Sequence, residues 1–170
     1  IEMITSPEGL GMSAKRIMVS TSGVPKMIKK LADDDVKFKL AVSLHSAIDE
    51  IRSRIMPFSA NFPLADLRQS LEYWYRKTKS KISYEYVVWK DINDNKESID
   101  ALVKFCKYVP CKVNLIEYNP IDDGEFQQAS EESINAYIKA LEASGIVVKV
   151  RRSRGKDIDA ACGQLANKEA

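Results

Sequence analysis

Short polar stretches follow four segments of this sequence that have the composition of β-strands. They are residues 20–23 (STSG), residues 43–45 (SLH), Asn93 with Asp94, and Asn119 with Pro120. Ligands of parallel α/β sheets bind beyond the carboxyl ends of the strands. Hydroxyl, imidazole and amide groups placed there can surround a polar small molecule. Taken singly, each stretch also has an ordinary structural explanation as a helix cap or a turn.

His45 is the single histidine of the chain. One imidazole excludes a cluster of histidines around a metal ion, and a lone histidine is most often a hydrogen-bonded structural residue. His45 is therefore a candidate for contacting a small ligand, with a structural role as the alternative.

The three cysteines differ in context. Cys106 completes an apolar helical stripe, which indicates a buried core thiol. Cys111 opens a strand, and four residues separate it from Cys106. The two together make only a weak metal motif because no second pair follows. Cys162 lies among small residues beyond a basic run. Nearby arginines favour its thiolate, the form that attacks electrophiles, whereas two nearby aspartates oppose that effect. An inert thiol is the alternative for Cys162.

A basic run lies between Lys149 and Lys156, with five basic residues in eight and no acid. Such a density suits contact with phosphate groups. The alternative to phosphate contact is that this run is a solvent-exposed strand end without a binding role. The candidate phosphate contacts are Arg151, Arg152, Arg154 and Lys156.

Alternating strands and helices must position these groups. Five segments rich in valine, isoleucine or aromatic residues predict strands, namely Arg16–Ser20, Phe38–Leu44, Ile82–Trp89, Lys112–Tyr118 and Ile146–Val150. Four helical patterns accompany them: Pro25–Ala32, the stripe Leu64, Leu67, Leu71 and Trp74 after Pro63, the stripe Ile99, Leu102, Val103 and Cys106, and a helix capped by Ser130 that closes near Gly145. This order predicts an α/β fold with mostly parallel strands, arranged as a partial (β/α) barrel with helices outside.

Length and composition limit the classes of protein to which this chain can belong. The chain has 170 residues, 45% of them hydrophobic, which suits one soluble domain over residues 1–170 with a tail at 151–170. It has neither a run of about 20 apolar residues nor a signal-peptide pattern, and the odd number of cysteines indicates free thiols. We therefore expect a cytoplasmic protein. A net charge of +2 identifies no partner by itself.

Several motifs occur together and in order: residues 9–13 (GLGMS), 19–25 (VSTSGVP), 43–45 (SLH), 113–116 (VNLI) with 118–120 (YNP), and 151–165 (RRSRGKDIDAACGQL). This series resembles the RlmN/Cfr family of radical S-adenosylmethionine (SAM) RNA methyltransferases, and most closely its RlmN branch. The resemblance covers nearly the whole chain, and 151–165 is its most specific segment.

The resemblance implies methylation of adenine C2 in large-subunit ribosomal RNA and transfer RNA. The positions that match SAM contacts of the family are Ser20, Ser43, Leu44, His45 and Asn119. Cys162 matches the cysteine that carries the methyl group as an intermediate. The basic run then becomes a guide for RNA phosphates near Cys162.

The family also uses a [4Fe–4S] cluster, an electron donor that reduces it, and a Cys-x3-Cys-x2-Cys run that binds it. Cys106, Cys111 and Cys162 cannot form that run. Because Ile1 is not an initiator and a closed barrel needs more strands, we expect the C-terminal part of a radical SAM barrel, with the cluster ligands upstream and no turnover by this part alone. The oligomeric state stays open.

Two other functions are alternatives to the methyltransferase. A non-catalytic RNA-binding domain accounts for the basic run and for aromatic residues such as Tyr73 and Tyr75, but it gives the cysteine tail no role. A half-barrel of a sugar-phosphate or cofactor enzyme lacks the glycine-rich phosphate loop that such an enzyme needs.

Overall fold

The computed structural model describes residues 1–119 and 126–152. The strands are β1 (Met18–Thr21), β2 (Lys39–Ser43), β3 (Ile82–Val88), β4 (Cys111–Glu117) and β5 (Val147–Arg151). The helices are α1 (Glu2–Thr5), α2 (Pro25–Asp33), α3 (Asp49–Ile55), α4 (Leu64–Thr78), α5 (Lys96–Cys106) and α6 (Glu131–Ala143), with short 3₁₀ helices at Ala14–Arg16 and Pro57–Asn61.

The five strands form one sheet in the order β1-β2-β3-β4-β5, and every neighbouring pair is parallel. Strand order follows chain order, so each crossover steps in the same direction, as it does in (β/α) barrels. The predicted α/β fold with parallel strands is confirmed, and each strand bound lies within one or two residues of its prediction.

One face of the sheet is apolar and forms the core. Alternate residues of the central strands are fully buried, among them Val42, Tyr84 and Leu115. Side chains of a strand alternate between its two faces, so these residues share one face. They belong to one cluster with buried residues of α2, α4, α5 and α6, including Trp74 and Leu141.

The other face of the sheet carries polar side chains. Its register aligns Ser43 of β2 with Glu85 of β3, Asn114 of β4 and Lys149 of β5 in one row across the sheet. Glu85 and Asn114 are buried. The row crosses the strands, and Ser43 is its member at the carboxyl end of a strand.

The helical predictions hold for α2, α4, α5 and α6. Ser130 caps α6 as predicted, because its hydroxyl accepts a hydrogen bond from the Ser133 N–H at 3.1 Å. Pro63 lies one position earlier than predicted, at the N-cap of α4 and not in its first turn. The sequence prediction missed α3 because the helix has only seven residues, its apolar pattern is limited to Ile51 and Ile55, and its one buried residue is an arginine, Arg52.

Among the described residues, no helix combines the length and the apolar character that crossing a membrane requires.

Candidate functional site

The structure places the predicted ligand contacts at the carboxyl edge of the sheet. Ser20 is the penultimate residue of β1, Ser43 ends β2, and Leu44 and His45 follow directly. Asn119 lies two residues beyond β4 and is 4% exposed. Since all strands are parallel, these positions share one edge. Their contact with a ligand stays a prediction.

Accessibility differs among these residues. Ser20 is exposed and Ser43 is half-buried, so a ligand can reach both. Leu44 is fully buried, side chain and backbone alike. That backbone is already engaged, because the Leu44 N–H donates to the carbonyl oxygen of Glu85 at 3.0 Å.

His45 is held in an unusual backbone conformation by its neighbours. Its φ is +56°, and its Nδ1 accepts a hydrogen bond from the Val87 N–H at 3.2 Å. Burial is the main cause that lowers the pKa of His45 to about 4, and the charge of Arg52 lowers it further. The imidazole is therefore neutral at physiological pH. A neutral ring that accepts at Nδ1 carries its hydrogen on Nε2, which can donate to a ligand.

Asn93 joins the loops that follow β2 and β3. Its amide nitrogen donates to the carbonyl oxygens of His45 at 2.8 Å and Val87 at 2.9 Å, and its Oδ1 accepts from the Trp89 N–H at 2.7 Å. Asn93 is fully buried. The sequence left two possibilities for Asn93, a ligand contact or a turn former. Because its amide is already bonded on both sides, it supports the site structurally.

Arg52 is a residue that the sequence reasoning missed. It is 1% exposed, its Nε donates to the Leu44 carbonyl at 3.2 Å, and its Nη2 donates to the Ser22 carbonyl at 2.8 Å. It therefore ties the chain leaving β1 to the chain leaving β2. Burial lowers the pKa of Arg52, while the carboxylate of Asp49 opposes this. Its position on α3 among polar residues offered no periodic signal.

Aromatic rings line the neighbouring part of this edge. Trp89 follows β3 and contacts His45 edge-on with ring centroids 5.7 Å apart, and it also packs against Tyr118 and Phe126. Among the described residues, the buried Trp89 Nε1 and Arg52 Nη1 atoms have no hydrogen-bond partner. Buried donors are normally satisfied, so both fit a ligand that brings acceptor oxygens or nitrogens to this edge.

Glu85 links β3 to the two strands beyond it. Its Oε1 accepts from the Asn114 amide at 2.6 Å, and its Oε2 accepts from Arg151 at 3.3 Å. The Glu85 side chain is 10% exposed and that of Arg151 is 64% exposed. Arg152 lies 3.8 Å from Glu131, and both of these side chains are largely exposed. Arg151 and Arg152 thus lie at the carboxyl end of β5, near the candidate site.

The remaining sequence candidates do not fall at this edge. Cys162, Arg154 and Lys156 lie outside the described residues. Cys106 is buried, as predicted, and Cys111 opens β4, so both lie at the opposite, amino edge of the sheet. Across residues 1–119 and 126–152, no group of three or more histidine, cysteine or acidic side chains is arranged to hold a metal ion.

Curated proteins match this chain over its full length, although no protein-family model matches it. It is 85% identical over 170 residues to the probable dual-specificity RNA methyltransferase RlmN of Flavobacterium johnsoniae, covering 100% of this chain and 49% of that protein. The protein of the same name from Cytophaga hutchinsonii is 48% identical, with 99% of this chain and 46% of that protein covered. The chain spans about half the length of the curated relatives it matches.

Solved structures also match the fold of this chain. A crystal structure of a radical SAM methyltransferase from Sphaerobacter thermophilus matches with a TM-score of 0.89 and 38% identity, over 95% of this chain and 47% of that one. A domain of a pyruvate-formate lyase-activating enzyme from Bacteroides vulgatus matches with a TM-score of 0.62 and 14% identity, over 79% and 80% of the two chains, which concerns the fold alone. By sequence along its whole length and by fold, this chain belongs to the RlmN family of radical SAM methyltransferases.

Proposed function

We propose that this chain is part of an enzyme that methylates C2 of adenine in large-subunit ribosomal RNA and transfer RNA by radical SAM chemistry. The observation that carries the proposal is the match of the entire chain, at 85% identity, to a protein named as a dual-specificity RNA methyltransferase. The carboxyl edge of the parallel sheet, with its reachable hydroxyls and unpartnered buried donors, supports it.

The residues present at this edge fit SAM. SAM has an amino acid end and a ribose, both of which need hydrogen-bonding partners. The hydroxyls of Ser20 and Ser43 and the Nε2 of His45 supply such partners, and Trp89 offers an aromatic wall. Asn119, which is buried just beyond the end of β4, completes the proposed set. When bound, SAM supplies both the methyl group and the adenosyl radical.

Cys162 is the proposed carrier of the methyl group. A thiolate is a good nucleophile toward an electrophilic methyl group, whereas a hydroxyl needs a dedicated base. Cys162 belongs to the family motif at 151–165 and follows Arg151, the last residue of β5, by eleven positions in the sequence. The chain's own contribution is therefore a thioether on Cys162 that holds the methyl group before its transfer to RNA.

The described residues do not fit the [4Fe–4S] cluster of the family, because none of them forms a cysteine triad. We propose that its ligands, and the surface that meets the electron donor, belong to the half of the protein that this chain does not span. No chemical step at the cluster is assigned to residues of this chain.

Arg151 and Arg152, with Arg154 and Lys156, are proposed to contact RNA phosphates. Arg151 and Arg152 are paired with carboxylates, but both pairs leave the arginine largely exposed. Exposed ion pairs contribute only about 0–1 kcal/mol, so phosphates can displace them. The other reading, a non-catalytic RNA-binding domain, loses support because Tyr73 and Tyr75 are half-buried against the core and unavailable as a stacking platform.

Mass analysis of the full-length enzyme tests the proposal. The enzyme is expressed with its cluster intact and digested, and we expect one added methyl group on the peptide that contains Cys162. In the Cys162→Ala variant this methyl group and 2-methyladenosine in target RNA should both disappear. Cys162→Ser should fail in the same way.

Cys106→Ala serves as the matched control, because this thiol lies at the opposite edge of the sheet. It should keep the methyl group on Cys162 and the methylation of RNA. A methyl group on Cys106 or Cys111, or full activity of Cys162→Ala, would overturn the assignment. RNA binding without any methylation by the intact enzyme would support the non-catalytic reading instead.

A further inference from the structure

Cys106 and Cys111 meet at the amino edge of the sheet. Cys106 is the last residue of α5 and Cys111 is the first residue of β4, so the short turn between these elements brings them together. The Cys111 thiol donates a hydrogen bond to the backbone carbonyl oxygen of Cys106 at 3.5 Å. The sequence alone indicated only a weak metal motif here.

The two thiols differ in exposure and in acidity. Cys106 is 4% exposed, whereas Cys111 is half-buried, so a reagent from solvent reaches Cys111 first. The neighbouring Cys106 side chain lowers the pKa of Cys111, and Lys81 adds to this effect while burial opposes it. The Cys111 side chain, together with burial, raises the pKa of Cys106. Cys111 is thus the more accessible and the more acidic of the two thiols, which makes it the nucleophilic member.

We propose that Cys106 and Cys111 form a reversible dithiol–disulfide site that hydrogen peroxide oxidises. The Cys111 thiolate attacks one peroxide oxygen, the O–O bond breaks, and water leaves once the departing oxygen is protonated, giving a sulfenic acid. The sulfur of Cys106 then attacks the sulfur of Cys111, the S–O bond breaks, and a second water leaves with the thiol proton. Two thiols and one peroxide thereby give one disulfide and two waters.

The geometry favours this step. An S–S bond is about 2.05 Å long, and because the Cys111 sulfur already contacts the backbone of Cys106 at 3.5 Å, we expect rotation of the two side chains to bring the sulfurs to that length. Cys111 lies at the start of β4, whereas Asn119 follows its other end. Oxidation therefore leaves the proposed SAM site unchanged, and the inference stands independently of the proposed function.

Peptide mapping of the full-length protein tests the inference. Trypsin separates the two cysteines into Phe105–Lys107 and Tyr108–Lys112, so the disulfide appears as a linked pair of peptides under non-reducing conditions. After brief treatment with hydrogen peroxide and blocking of free thiols, we expect most of the protein to yield this linked pair and dithiothreitol to release it. Before oxidation, an alkylating reagent should modify Cys111 at least about tenfold faster than Cys106.

Variants assign the roles of the two thiols. In Cys106→Ser the oxidised Cys111 lacks its resolving partner, so it should react with a sulfenic-acid probe such as dimedone. In Cys111→Ser, Cys106 should stay reduced under the same treatment. Cys162→Ala should leave the linked pair at its original yield. Recovery of both peptides as separate blocked thiols after peroxide, or faster alkylation of Cys106 than of Cys111, would overturn the inference.

Discussion

The amide nitrogen of Asn93 donates to the carbonyl oxygen of His45 at 2.8 Å and so joins the loop after β3 to the loop after β2. The neighbouring Val87 N–H donates to the imidazole of the same histidine at 3.2 Å. His45 is thus held through its backbone and its ring. A ligand that binds at this edge as proposed would meet an imidazole whose position is set before binding, which reduces the free-energy cost of ordering it.

Asn93→Ala should destabilise the chain by about 3 kcal/mol, because it leaves the His45 and Val87 carbonyls and the Trp89 N–H without partners in a buried place. Urea denaturation gives the free energy of unfolding. Asn95→Ala is the matched control: Asn95 is exposed and caps α5 through one bond to the Ser98 N–H, so about 1 kcal/mol is expected. Equal losses of unfolding free energy in the two variants would contradict the role of Asn93 in joining the two loops.

His45 should make stability depend on pH. Its pKa is lowered from 6.5 to about 4 in the folded chain, so the folded state resists protonation more than the unfolded state does. The stabilisation is complete above about pH 6.5 and is lost as the pH falls toward 4.

The variant His45→Asn isolates this effect, because asparagine tolerates a positive φ and does not titrate. The free energy of unfolding of the wild type should fall relative to the variant between pH 6.5 and 4, by about 1–3 kcal/mol. Above pH 7 the two curves should run parallel. A constant difference across the whole range would show that His45 is not buried as a neutral ring.

Gly23→Ala should cost about 2–3 kcal/mol. Gly23 has a φ of +96°, and an added Cβ would lie 3.1 Å from Arg52 Nη2 and 3.2 Å from Leu67 Cδ1. Gly145 also has a positive φ, +71°, but an added Cβ there meets nothing within 4 Å. Gly145→Ala should therefore cost only about 1 kcal/mol. Thermal or urea unfolding measures the stability of both variants. A larger loss of stability for Gly145→Ala would show that contact of the added Cβ with Arg52 and Leu67 is not the main cost at Gly23.

Asn114→Ala should destabilise more than Arg151→Ala, although both side chains bind the same carboxylate. Removing Asn114 deprives the buried Glu85 Oε1 of its donor at 2.6 Å, which we expect to cost about 2 kcal/mol. Removing Arg151 breaks a pair whose basic member is 64% exposed, so less than about 1 kcal/mol is expected. Urea midpoints measure both losses of stability. A larger loss for Arg151→Ala would mean that the ion pair between Arg151 and Glu85 contributes more than the hydrogen bond between Asn114 and Glu85.

The sequence predicted all five strands and the helices α2, α4, α5 and α6. The signals are local. Segments rich in valine, isoleucine or aromatic residues and apolar stripes of helical spacing depend on neighbouring residues along the chain. Ser130 was recognisable as a cap for the same reason, because its bond to Ser133 spans a single turn. The family was recognisable from short motifs whose residues are contiguous in the chain.

The sequence by itself therefore determined the order of the strands and of α2, α4, α5 and α6, the parallel sheet, the family and the edge at which the candidate ligand contacts lie. Tertiary structure alone decided that Arg52 is buried against Leu44 and Ser22, and that the Asn93 amide is bonded on both sides. It also decided that Glu85 meets Asn114 across the sheet. These contacts join residues that are distant along the chain, so they depend on the register of the strands and on the packing of the loops, which no local pattern of residue types encodes.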